Sequence, residues 1–111
     1  SGQEEKIVKH LIPVANRLLA RLTDRPVIVT QDWHPPRHLS FASQHPGRRP
    51  HEVVELGGVP QVLWPDHCVA LSHGARLAAA LDARRIERVF FKGIDPAVDS
   101  YSGFFDNAVR S

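Results

Sequence analysis

Pro26-Val27-Ile28-Val29-Thr30-Gln31-Asp32-Trp33-His34-Pro35-Pro36-Arg37-His38-Leu39-Ser40-Phe41-Ala42-Ser43-Gln44-His45 decides the fold. Its first residues are a short continuous apolar run, which reads as a buried strand over residues 27–30. Pro35 and Pro36 then forbid a helix, because proline lacks the amide donor and restricts the residue before it. Four possible metal ligands, Asp32, His34, His38 and His45, therefore sit on a stiff loop past the carboxyl end of a strand. In open α/β sheets that is where ligands are bound.

Outward from that loop, the chain has 111 residues, which suits one small domain over residues 1–111. A domain of this size buries somewhat over ~60% of its unfolded surface. With 42% hydrophobic and 23% charged residues the composition is that of an ordinary globular protein. The net charge is +2, and no run of like charges exceeds two residues. There is no electrostatic footprint for nucleic acid or for an anionic membrane. The single cysteine, Cys68, excludes an intramolecular disulfide, which fits a reducing compartment. No apolar run approaches the ~20 residues that span a bilayer. No signal peptide is visible, so the expected compartment is the cytoplasm. The seven histidines are many for this length.

Residues 3–22 have helical periodicity, with Val8, Leu11, Ala15, Leu18, Leu19 and Leu22 on one stripe. Pro13 predicts a kink or a restart. Asp24-Arg25-Pro26 turns the chain into the strand, so helix, turn and strand make half of a βαβ unit. Residues 32–65 are rich in Pro, Gly and His. Within them residues 52–56 and 59–64, separated by Gly57-Gly58, predict a small hairpin. The spacing predicts a short helix over residues 74–81, opened near Ser72, and a second buried strand over residues 86–91, apolar at Val89, Phe90 and Phe91. Two parallel strands are not an independently stable core. Either the long loop supplies further sheet, or the chain is an interior piece of a larger domain.

Asp32-x-His34 places a carboxylate and an imidazole on one side of an extended segment. His38 follows four residues on, and His67 returns from a distant loop. A carboxylate with two or three imidazoles suits Zn²⁺, Fe²⁺ or Mn²⁺ with positions left open for water or substrate. His10, His45, His51 and His73 read as surface residues. Lys92 ends the second strand, where a lysine either snorkels to solvent or is held by an anionic partner in a cleft. Trp64 and Tyr101 either stack on a planar ligand or fill core. Cys68 reads as a small structural thiol, since no base is paired with it.

Three ordered motifs carry a resemblance. Gln31-Asp32-Trp33-His34-Pro35 with His38 and Ser40-Phe41-Ala42-Ser43-Gln44-His45 is the first. Trp64-Pro65-Asp66-His67-Cys68 is the second. Phe91-Lys92-Gly93 with Asp99-Ser100-Tyr101-Ser102-Gly103-Phe104-Phe105-Asp106-Asn107 is the third. From about residue 14 to residue 107 the sequence resembles the nicotinamidase/pyrazinamidase family of isochorismatase-like cysteine hydrolases.

The resemblance implies an α/β fold, a central parallel sheet flanked by helices in a Rossmann-like three-layer arrangement, of which this chain is an incomplete interior part. It implies hydrolysis of nicotinamide to nicotinate and ammonia, a step of NAD salvage, through a cysteine thioester. Lys92 matches the lysine of the family's triad. Asp32, His34 and His67 match the ligands of a divalent metal, zinc before iron or manganese, and His38 matches a ligand in some members only. The metal would hold the pyridine ring or a water. Trp64 matches the aromatic that stacks on the ring, and Tyr101 a pocket-lining position. The partner expected is therefore a small-molecule amide, nicotinamide or pyrazinamide. The family's catalytic aspartate precedes the first helix, and nothing in residues 1–6 corresponds to it. Its nucleophilic cysteine follows the last motif, and Cys68 aligns with a different cysteine.

Two further readings keep the fold. One is a truncated, non-catalytic metal- or ligand-binding protein. The other is a hydrolase of the same superfamily acting on another small amide, against which Trp64 and the complete metal motif argue. Flanking segments, or further copies of the chain, are expected partners.

Overall fold

Helix α1, Gly2–Arg21, opens the chain in a computed structural model that describes residues 2–110. The helix runs as one element through Pro13, with no restart. Pro13 and Lys9 are both exposed, so the carbonyl that proline leaves unpaired is open to water. The inward side differs from the expected stripe. Ala15, Leu19 and Leu22 are half-buried as predicted, but Val8, Leu11 and Leu18 are exposed and Ile12 and Asn16 take their place. Asn16 explains the rotation. Its amide donates to Ala80 O at 2.9 Å, and its carbonyl accepts from Asp82 N at 2.7 Å. Turning this polar pair outward would strand two backbone groups.

Strand β1 is Val27–Asp32, and β4 is Ile86–Lys92. They pair as a two-stranded parallel sheet. β4 was expected to be covered on both faces, yet Val89, Phe90 and Phe91 are 40%, 51% and 49% exposed. Between these strands lies the hairpin of β2, Val53–Leu56, and β3, Val59–Val62. Its antiparallel register pairs Val53 with Val62 and Leu56 with Val59. Gly57 and Gly58 have φ of 56° and 81°, and a two-residue turn of this hand needs positive φ at both positions.

The predicted helix over residues 74–81 does not form. Only a single 3-10 turn, His73–Ala75, is present there. A helix that short is marginal in water, and its backbone groups have other partners. Ala75 O accepts from the Gln31 amide, Ala80 O from Asn16, and Leu81 N donates to Ala78 O.

Contacts divide the chain into two units. One holds Ser1–Val29 and Leu77–Phe90, the other Thr30–Arg76 and Phe91–Ser111. In the first, Asp82 caps a 3-10 turn, Ala83–Arg85, by accepting from Arg84 N. The Arg84 side chain on Asp82 holds that carboxyl at about 2. Arg85 donates to Leu19 O in the last turn of α1 and to Leu22 O just past its end.

In the second unit the long loop is tied down by isolated parallel bridges, His34 to Val69 and Phe41 to Trp64. Its centre is Phe41 and Leu63, both fully buried, with Ala42 and Ala75. Burying each large side chain contributes about 1.5–3 kcal/mol. Around them lie the buried polar residues His34, His38, Ser40, Gln61, Asp99 and Ser100. Such groups are costly unless they are bonded to one another or to a ligand, so the middle of this unit is its polar site.

Candidate metal centre

His34 is held from both sides of its backbone. Its N–H donates to Cys68 O at 2.9 Å, and its carbonyl accepts from Ala70 N at 2.7 Å. The ring is buried, and Nδ1 lies 2.9 Å from Gly93 O. A carbonyl only accepts, so Nδ1 carries the proton and Nε2 keeps its lone pair. His67 repeats the arrangement. Its Nδ1 lies 2.7 Å from Pro65 O, and its ring centroid is 4.9 Å from that of His34. His67 itself is exposed.

His38 is fixed by a turn, its N–H donating to Pro35 O at 3.0 Å. Its ring centroid is 4.6 Å from His34, but its hydrogen bonding is reversed. Ser40 N donates to His38 Nδ1 at 3.1 Å, so in the neutral ring the proton is on Nε2. That buried nitrogen has no hydrogen-bond partner among the described residues. Burial, then the neighbouring His34, lowers the pKa of His38 below 6.5.

Asp99 joins them from the segment after β4. One ligand atom each of His34, His38 and Asp99 fall within 4.8 Å of one another. Asp99 accepts from Ser100 N at 2.8 Å and from the Gln61 amide of β3 at 3.2 Å. Sequence reasoning quoted Asp99 inside a motif and gave it no role. The nearest signal is its place at the head of the motif Asp99-Ser100-Tyr101-Ser102, seven residues past the end of β4.

Asp32 lies apart from this group, against the Lys92 ammonium. The two groups form an ion pair through Asp32 Oδ1, and Lys92 Nζ also donates to Ser100 O at 2.6 Å. Of the two roles read for Lys92, it is the one held by an anion. Trp64 Nε1 donates to the Tyr101 hydroxyl at 3.3 Å, and Gln61 reaches the same oxygen at 3.4 Å. Trp64 is half-buried and Tyr101 is 61% exposed, so the indole and phenol form one ledge. Cys68 adopts φ 46°, and burial, then the Asp32 carboxylate, pushes its thiol up despite Lys92. His45 is not a surface residue as expected. It is half-buried, with Nε2 2.7 Å from Leu39 O.

The donor set fits a divalent cation. Two imidazoles present Nε2 lone pairs, and carboxylates and an unpartnered imidazole nitrogen lie beside them.

No family model matches the chain. It is 52% identical over 101 residues to the nicotinamidase of Escherichia coli strain K12, covering 89% of this chain and 47% of that protein. A solved structure of an Acinetobacter baumanii nicotinamidase/pyrazinamidase superposes with a TM-score of 0.86 at 38% identity, covering 93% of this chain and 49% of that one. The yeast nicotinamidase Pnc1p bound to the inhibitor nicotinaldehyde gives 0.79 at 30% identity, covering 90% and 52%. The fold is thus that of the isochorismatase-like hydrolases. Within that class, the chain belongs to the nicotinamidase family. It spans about half the length of the relatives it matches.

Proposed function

We propose that these residues are the metal-holding and substrate-facing part of a nicotinamidase/pyrazinamidase, with His34 and His67 as ligands, His38 and Asp99 beside His34, and Asp32 the further ligand that the family resemblance implies. The observation that carries this reading is the pair of imidazoles His34 and His67. Each is bonded through Nδ1 to a backbone carbonyl, and their rings are 4.9 Å apart. Ligating histidines characteristically donate their second N–H in this way. His38 has the opposite polarity, which ranks it below the other two. Two imidazoles and a carboxylate suit zinc, and the same donor set also accepts iron or manganese; zinc is the metal taken forward.

When bound, the cation supplies a positive site for the pyridine nitrogen or a water. The chain's own groups do the rest. Trp64 and Tyr101 offer the ledge on which a planar ring stacks. Lys92 fixes the Asp32 carboxylate and brings a cation to the site, which stabilises a thiolate in a neighbouring nucleophile. Cys68 is unsuited to that part, because burial and Asp32 favour its neutral thiol. The family resemblance assigns the nucleophilic cysteine and its aspartate to chain outside these 111 residues, so hydrolysis of nicotinamide to nicotinate and ammonia is an activity of the whole protein.

Elemental analysis and ammonia release test this. The 111-residue chain is expected to retain about one equivalent of zinc and to release no ammonia from nicotinamide. In a polypeptide carrying the whole fold, Lys92→Met is expected to lower ammonia release by about 10²-fold or more. Zinc binding that survives loss of both His34 and His67 would overturn the ligand assignment. The same outcome for Lys92→Met as for the parent would overturn the role of the lysine.

A further inference from the structure

We propose that Gly93 is a positioning residue of the metal centre: its carbonyl decides which nitrogen of His34 carries the proton, and its missing side chain is the space the imidazole occupies. The inference rests on the reading of His34 as a ligand. Gly93 is buried just past the end of β4 and has φ +64°. A Cβ built on it would lie 2.6 Å from His34 Nδ1 and closer still to Cε1. Ordinary contact between such atoms needs about 3.5 Å or more.

The ring has nowhere easy to go. The backbone of His34 is pinned at both its N–H and its carbonyl, and Trp33 N donates to Lys92 O at 2.9 Å. Around the imidazole stand His38, His67 and Phe41, with ring centroids 4.6, 4.9 and 5.7 Å away. A side chain at position 93 therefore forces the His34 ring off its present orientation against these neighbours. That breaks the Nδ1–H bond to Gly93 O, frees the proton to move to Nε2, and turns the lone pair away from its ligand position. Gly57 and Gly58 also have positive φ, but nothing lies within 4 Å of a Cβ built on either. Among the described residues, only at Gly93 do backbone hand and side-chain space both bear on a site residue.

Gly93→Ala and Gly93→Asn, in a polypeptide carrying the whole fold, test this. Asparagine tolerates positive φ, so it adds the clash with less backbone strain and carries the test should the alanine variant not fold. Long-range ¹H–¹⁵N correlation of the imidazoles, in metal-free protein at about pH 8.5, reads the tautomer directly. In the parent, His34 is expected with Nδ1 protonated and Nε2 bare. In the variants that pattern is expected to be lost, and zinc affinity by calorimetry to fall about 10–100-fold. A parent protein with the His34 proton on Nε2 overturns the proposal without any variant. Folded variants that keep the parent's His34 signals and its zinc affinity overturn it too, and leave the metal reading standing. A parent that takes up no zinc, with a tautomer that still changes in the variants, removes the metal reading and supports the positioning role.

Discussion

His38 is a fully buried imidazole whose pKa is lowered by burial and by His34, so the unfolded chain binds its proton more readily than the folded one. Its contribution to stability is whole above 6.5 and shrinks as pH falls through the lower, folded-state value. In chelator-treated protein, urea midpoints are expected to fall between about pH 7.5 and about pH 5, and His38→Gln to flatten that fall. A slope unchanged by the substitution would place the titration elsewhere. At this scale the spacing Asp32-x-His34 brings out two residues of the neighbourhood, whereas the hydrogen bond from Trp64 to Tyr101 joins motifs that lie 37 residues apart. Asp99 escaped notice because Asp95-Pro96-Ala97-Val98-Asp99-Ser100 reads as a turn, where carboxylates are common. What makes it a buried acceptor is the amide of Gln61, 38 residues away on a hairpin strand.

Among the elements, the hairpin was the most legible, because a Gly-Gly turn sets its register by backbone hand alone. That permits a clean prediction. A Cβ at Gly58 would touch nothing within 4 Å, so Gly58→Val meets only the cost of a β-branched residue at φ 81°. It is expected to destabilise the chain by roughly 1–2 kcal/mol in urea titrations. A neutral result would mean that the turn refolds into another type. Helix α1 and the lost helix over residues 74–81 teach the converse. Apolar spacing located α1 but mistook its inner side, because Asn16, a polar residue, is what binds it to Ala80 and Asp82. The contact at Ala80 also takes one carbonyl of the 74–81 stretch out of helical pairing. Periodicity records where apolar groups recur, and it is silent about one amide that satisfies two distant backbone groups.

Taken whole, the chain places every residue read as a metal ligand, lysine or aromatic ledge in one unit, Thr30–Arg76 with Phe91–Ser111. The class of fold was legible through the resemblance carried by three ordered motifs, since the elements alone make only half of a βαβ unit and a second strand. The coverage of β4 was not legible, since Val89-Phe90-Phe91 implies neighbours on both faces and the chain itself supplies few. Among the described residues no helix is long and apolar enough to cross a membrane.

The two lone bridges give the site loop an unusual dynamic signature. His34 N, Ala70 N, Trp64 N and Ala42 N are each bonded at 2.7–2.9 Å although most of their neighbours belong to no strand. In deuterium uptake these four amides should form islands of slow exchange inside otherwise fast loop peptides. Uniformly fast labelling across both loops would mean that the imidazoles are not held in place before a cation arrives.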